Sequence, residues 1–258
     1  MRRDGAVPVL MYHSIGPTGG PTTIPEATFR MQLDVLAECG YRSVPCASLV
    51  AWLRGERPAG WPERPVLITF DDAFADFGTA AYPLLGRKRF GALVFVPTGC
   101  VGAREQWHGA HAPPRALLDW RAIRALAAAG VEFGGHGVRH EDLTRLPRED
   151  RRREIDGSAD ALATALGMRP VAFAAPYGRV DAATRADICR TYAVAFGTRF
   201  ARARQDAPHD DVPRVEMHYF RDASRWRAFL QGSMTYFTAR RTMRGLRAAG
   251  RRLVGSAR

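Results

Sequence analysis

The sequence predicts an α/β fold: one parallel domain, most simply a barrel or an incomplete barrel. Three observations carry this. Strand-like and helix-like stretches alternate from one end of the 258-residue chain to the other, the pattern of parallel βα units. No repeat of about 20–50 residues and no linker divides it. A chain with 46% hydrophobic and 25% charged residues is ordinary globular material, long enough for one large core.

Residues 7–12 read as a first strand that ends in Tyr12-His13-Ser14, and a Gly/Pro/Thr-rich loop follows over 16–25. Phe29, Leu33, Leu36 and Ala37 recur at helical spacing, and Gly40 supplies a stop. A short strand over 41–44 and a short helix over 47–53 lead to the central stretch, Val66-Leu67-Ile68-Thr69-Phe70-Asp71-Asp72. Its apolar run reads as a buried strand. Residues 82–85 are expected to be helical, 92–96 a strand, and 97–117 a long loop holding Trp107, His108 and His111. Asp119 can cap a helix whose Trp120, Ile123 and Leu126 share a face, with Gly130 ending it. A strand over 131–133 delivers Gly134-Gly135-His136-Gly137-Val138-Arg139-His140. A charged helix over 148–166 is interrupted by Gly157 and ended by Gly167. A strand over 171–173 runs into Ala174-Ala175-Pro176-Tyr177-Gly178. A helix over 182–189 and strands over 192–196 and 212–217 complete the series.

Residues 1–235 are expected to form the folded domain and 236–258 a basic amphipathic tail. In the tail, Tyr236, Met243, Leu246, Leu253 and Val254 face away from Arg240, Arg244, Arg247 and Arg251. Such a helix suits contact with an anionic membrane surface. The formal charge of +12 is carried almost wholly by arginine, Lys88 being the only lysine, and it favours acidic partners. Nucleic acid is not expected, because no recognised binding motif or basic–aromatic interleaving occurs outside the tail. No apolar run reaches membrane-spanning length, and Pro8 interrupts the short apolar stretch after Arg2 and Arg3. A cytoplasmic location is therefore expected, with work at the inner membrane face consistent with the tail. Cys39, Cys46, Cys100 and Cys189 make no C-x-x-C pair and are expected to be small buried hydrophobes.

Two adjacent carboxylates at a strand's carboxyl end need a reason to coexist, and a bound cation is the commonest one. His136 and His140 are spaced so that one helical turn or a tight loop aims both rings at one point. Two histidines from one loop and one carboxylate from another strand end leave a fourth position to water, the pattern of catalytic zinc.

In order, Thr69-Phe70-Asp71-Asp72, His136-Gly137-Val138-Arg139-His140 and Phe173-Ala174-Ala175-Pro176-Tyr177-Gly178 resemble the first three motifs of the polysaccharide deacetylases. The opening Val7-Pro8-Val9-Leu10-Met11-Tyr12-His13 and the closing Val212-Pro213-Arg214-Val215-Glu216-Met217 resemble the branch that includes the biofilm poly-N-acetylglucosamine deacetylases. In that branch a Leu-x-x-His motif lies at the amino end through circular permutation, and Leu10 and His13 fit it. The resemblance implies a distorted (β/α) barrel and metal-dependent removal of N-acetyl groups from amino sugars. It implies that Asp72, His136 and His140 hold a divalent metal, zinc first, with Asp71 as general base. Tyr177 would donate its backbone N–H to the oxyanion, and His13 would protonate the departing amine. Pro176, Tyr177 and Trp107 are the expected substrate contacts.

Four positions depart from the family pattern: Ala73, Gly137, Glu141 and Ala174. The last stands where many relatives carry an arginine that orients the base, and Arg214 is expected to take that role. His209, Asp210 and Asp211 read as a solvated turn, and His218 as a distant substitute for His13. Two other readings stay open: hydrolysis of a non-sugar amide at the same site, and an inactive glycan-binding relative.

Overall fold

The structure, a computed structural model, describes residues 5–17, 22–107, 113–205, 208–233 and 238. His108, His111 and the tail from Tyr236 onward, apart from Thr238, lie outside these residues. Ten strands and seven α-helices follow one another among them: β1 (Val9–Tyr12), β2 (Ser14–Ile15), β3 (Thr23–Ile24), α1 (Glu26–Glu38), β4 (Arg42–Ser43), α2 (Cys46–Leu53), β5 (Pro65–Phe70), α3 (Tyr82–Lys88), β6 (Leu93–Val96), α4 (Trp120–Ala128), β7 (Glu132–Gly135), α5 (Arg148–Leu166), β8 (Ala172–Ala174), α6 (Ala182–Thr191), β9 (Val194–Phe200), β10 (Val212–Glu216) and α7 (Ala223–Leu230).

The sheet runs β1-β10-β9-β8-β7-β6-β5, and β1 pairs again with β5, so seven parallel strands close into a barrel. The first strand is the closing one, with Leu10 opposite Val215 on one side and Ile68 on the other. Short β4 pairs in parallel beside the start of β5. The alternation of each strand divides its residues between two cores. Leu67, Leu93, Phe95, Ala172, Val194, Phe196 and Val212 pack with Leu49, Val50 and Leu53 of α2. That short helix therefore stops the amino end of the barrel, and its first amide, Cys46 N, is held by the carboxylate of Glu132. Ile68, Phe70, Val94 and Val96 instead pack with α1, α3, α4 and α7. Burial at this density is the main stabilising term of such a fold.

Asp119 caps α4 through Ala122 N at 2.7 Å, and Gly167 ends α5 at φ 74°. Two expectations are corrected. Helix α5 is continuous through Gly157: a Cβ there would lie 3.2 Å from Val138 Cγ2, so glycine serves close packing rather than a break. Of the two geometries expected for His136 and His140, the tight loop is the one found, with His140 at φ 60°. Cys39 and Cys46 are buried, but Cys100 is half-buried and Cys189 exposed. No helix among the described residues is long and apolar enough to cross a membrane.

Candidate active site

Strand β5 is buried from Val66 to Phe70, with Thr69 its one polar side chain, and then delivers Asp71 and Asp72, both buried. Asp71 N still donates to Tyr12 O at 2.9 Å, which keeps the turn in register with β1. Asp72 and Ala73 then take φ of 72° and 53°, a left-handed turn, with Asp71 facing Arg214 and Asp72 facing the histidines. Such conformations cost on the order of 1–3 kcal/mol each and cluster where function requires them.

The carboxylate of Asp71 is gripped by Arg214, itself 1% exposed. Nη1 donates to Oδ1 at 2.6 Å and Nη2 to Oδ2 at 2.8 Å. Arg214 stands at an irregularity in the pairing of β9 with β10, and its Nε donates to the Gly197 carbonyl at 2.9 Å. Burial alone would raise the Asp71 carboxyl, but the Arg214 guanidinium, with His13 and His136, outweighs it and holds the group below its ordinary range. Asp71 is thus kept ionised in a dry setting.

Asp72 faces the histidines. Its Oδ1 lies 3.2 Å from His136 Nε2 and 3.1 Å from His140 Nε2, yet neither contact has hydrogen-bond alignment, and Oδ1 is buried without a partner. His136 Nδ1 sits 2.7 Å from the Ala174 carbonyl, an acceptor, so Nδ1 carries the proton. In the neutral ring, a lone pair on Nε2 then points at a carboxylate oxygen. Donor atoms about 2.0–2.1 Å from one tetrahedral ion stand about 3.3 Å apart, close to these separations. An orphaned carboxylate oxygen and an imidazole lone pair facing each other fit a divalent cation. Among the described residues, Asp72, His136 and His140 form the converging set of metal donors. Burial would raise the Asp72 carboxyl, but the two imidazoles hold it well below its ordinary range. Burial opposes a proton on both rings. At His136 the carboxylates prevail and raise its pKa, whereas at His140 burial prevails and lowers it.

The histidine loop is held by a residue that sequence reasoning missed. Glu154 of α5, 2% exposed, accepts from Val138 N and Arg139 N at 2.8 Å each and from Arg139 Nε at 2.9 Å. Gly137 bends between the histidines at φ 75°, and a Cβ there would stand 3.1 Å from Glu154 Oε2. The family's Ser or Thr is absent at 137 where the backbone is left-handed.

His13 follows β1, with Nε2 3.9 Å from Asp71 Oδ2. Tyr177 sits at φ 59° in the turn Pro176–Gly178, 39% exposed, its ring edge-on to His140. Trp107 stacks on His140 with ring centres 4.2 Å apart. His13, Asp71, Asp72, Trp107, His136, His140, Tyr177 and Glu216 line one pocket of about 370 Å³ at the carboxyl ends of the strands, where parallel barrels build their sites. Pro176 is buried and does not line it. His218 stands apart, its Nδ1 3.0 Å from Arg221 Nη2. Asp210 and Asp211 pair with Arg185, consistent with a polar turn. Arg115 also reaches the pocket, paired through two contacts of 2.8 Å with fully buried Glu105.

The family model described as "Polysaccharide deacetylase" matches residues 60–194. The chain is 25% identical over 183 residues to the YxkH protein of Bacillus subtilis (strain 168), covering 70% of this chain and 60% of that protein's length. The structure of IcaB from Ammonifex degensii superposes with a TM-score of 0.72 at 25% identity, over 88% of this chain and 98% of that one. The Streptococcus pyogenes deacetylase PplD, solved in complex with acetate, gives a TM-score of 0.71 at 26% identity, over 81% and 91%. The seven-strand barrel matches the deformed (β/α) barrel of these proteins.

Proposed function

The chain belongs to the polysaccharide deacetylase family, and from that premise we propose that it removes the N-acetyl group from an N-acetylated amino sugar, releasing acetate. The substrate in this reading is a polymeric, oligomeric or lipid-linked saccharide. The observation that carries it is the convergence, in one pocket, of an Arg214-gripped carboxylate, an orphaned carboxylate between two imidazoles, and a third histidine.

Asp72, His136 and His140 are assigned as the ligands of a divalent ion, zinc in this reading; when bound, it supplies a Lewis acid that polarises the acetamide and acidifies water. Asp71, ionised beside Arg214, accepts the proton of the attacking water. The backbone N–H of Tyr177 donates to the oxygen on which negative charge develops, usually the largest single catalytic contribution. His13 gives a proton to the nitrogen as the C–N bond breaks, since an unprotonated amine is a poor leaving group. Trp107, stacked on His140, and Tyr177 wall the side where the sugar sits, and buried Pro176 only shapes the turn that presents Tyr177.

The test is acetate release from N-acetylglucosamine oligomers and from lipid-linked N-acetyl sugars, before and after chelation and zinc restoration. Release should vanish on chelation and return with zinc, and Asp71→Asn should lower it by about 10²–10⁴-fold. One bound equivalent of metal without release from any sugar would move the reading to a non-sugar amide. Neither metal nor release would end the enzyme reading.

A further inference from the structure

Asp76 lies four residues beyond Asp72 and is not among the residues lining the pocket. Both of its oxygens are nevertheless committed to the segment that carries His13. Oδ2 accepts from Ser14 Oγ at 2.5 Å, and Oδ1 accepts from Ile15 N at 3.0 Å. Ser14 is 2% exposed, so this contact is shielded from water. On the other side of His13, Tyr12 O accepts from Asp71 N. Residues 12, 14 and 15 are thus fastened to residues 71–76, and between the fastenings His13 faces the pocket, 3.9 Å from Asp71.

The outer side of the same segment is tied as well. Ser14 and Ile15 form β2 and pair with Thr23 and Ile24 of β3. Arg115 Nη1 holds Thr23 Oγ1 at 3.1 Å. A carboxylate suits position 76 because it accepts from a hydroxyl and an amide together.

We propose that Asp76 is a positioning residue for amide cleavage, fixing the His13 ring relative to the base by pinning Ser14 and Ile15 to the acidic turn. This rests on the reading of His13 as the acid that protonates the departing amine. Proton transfer in the transition state demands placement within about 0.5 Å, and the two bonds to Asp76 are the ones that tie this small two-strand ribbon to the acidic turn itself.

Two substrates separate positioning of the acid from general damage. An amine must be protonated to depart, whereas 4-nitrophenolate leaves unaided. The zinc-loaded full chain is assayed on N-acetylglucosamine oligomers and on 4-nitrophenyl acetate. Asp76→Ala should lower deacetylation by about 30-fold or more while ester hydrolysis stays within about threefold, the selectivity His13→Ala itself should show. Asp76→Asn, which can still accept from Ile15 N, should recover most of the loss. Ser14→Ala should repeat the pattern more weakly, and it serves if the alanine variant at 76 does not fold. Equal losses on both substrates, or none, in the 76 and 14 variants overturn the proposal while the role of His13 stands. Unselective loss in His13→Ala overturns the assignment of the acid, and this proposal with it.

Discussion

At the scale of single residues, the pairing that matters most is Arg214 with Asp71. Buried ion pairs are weak evidence for stability, but removing one partner leaves the other charge uncompensated. Arg214→Ala should lower deacetylation by at least about tenfold, and the acid limb of the rate profile should move to higher pH. The sign follows from the causes: burial raises the Asp71 carboxyl and Arg214 opposes it, so without the guanidinium the base stays protonated to higher pH. Arg214→Lys, which keeps charge but not the two-point grip, should fall between; a pH–rate series on both variants checks this. Arg214 was legible because Ala174 left a vacancy in a motif that needed a cation. Glu154 was not. It sits in a run of Arg, Glu and Asp that reads as a solvated face, and only the fold shows that it turns inward. Asp76 was hidden because its partners are about 60 residues away.

At the scale of elements, the unit is the histidine loop with the helix behind it. Glu154 binds two loop amides and a guanidinium, while Gly157 lets α5 approach Val138. Outer supports of metal sites typically contribute 10–100-fold in affinity. Glu154→Ala should therefore weaken zinc binding by about that factor, measured by chelator competition, without removing a ligand. Most elements were legible from periodicity and stop signals, and their ends agree within a few residues. Ribbon β2–β3 was not, because two residues per strand carry no period. Helix α7 carried signals that went unread: Asp222 caps it through Arg225 N at 2.9 Å, and Trp226, Phe229 and Leu230 share its buried side. The glycine at 157 misled because it answers to a neighbour in space rather than to its own helix.

At the scale of the molecule, α7 and α1 brace the seam where the barrel closes. Trp226 is fully buried and donates from Nε1 to Gln32 O at 3.0 Å, and Gln32 Nε2 donates to the carbonyls of Met217 and Phe220, just past β10. Trp226→Ala should cost about 3–5 kcal/mol. A thermal melt should show a fall of roughly 6–20 °C for a chain of this size. Because the brace adjoins β10, zinc affinity should hold until that melt begins.

The closing strand also sets an order of events at the ribosome. Val9 to Tyr12 leave the exit tunnel before either lateral partner: β5 ends only at Phe70, and β10 only at Glu216. At about 5–20 residues per second, the second edge of that apolar strand waits roughly 10–40 s for its neighbour. An unpaired hydrophobic edge held open that long invites pairing with other nascent chains. Translation stalled before residue 212 should therefore yield a species bound by holdase chaperones that lacks the grip on Asp71, although every proposed metal ligand has already been made.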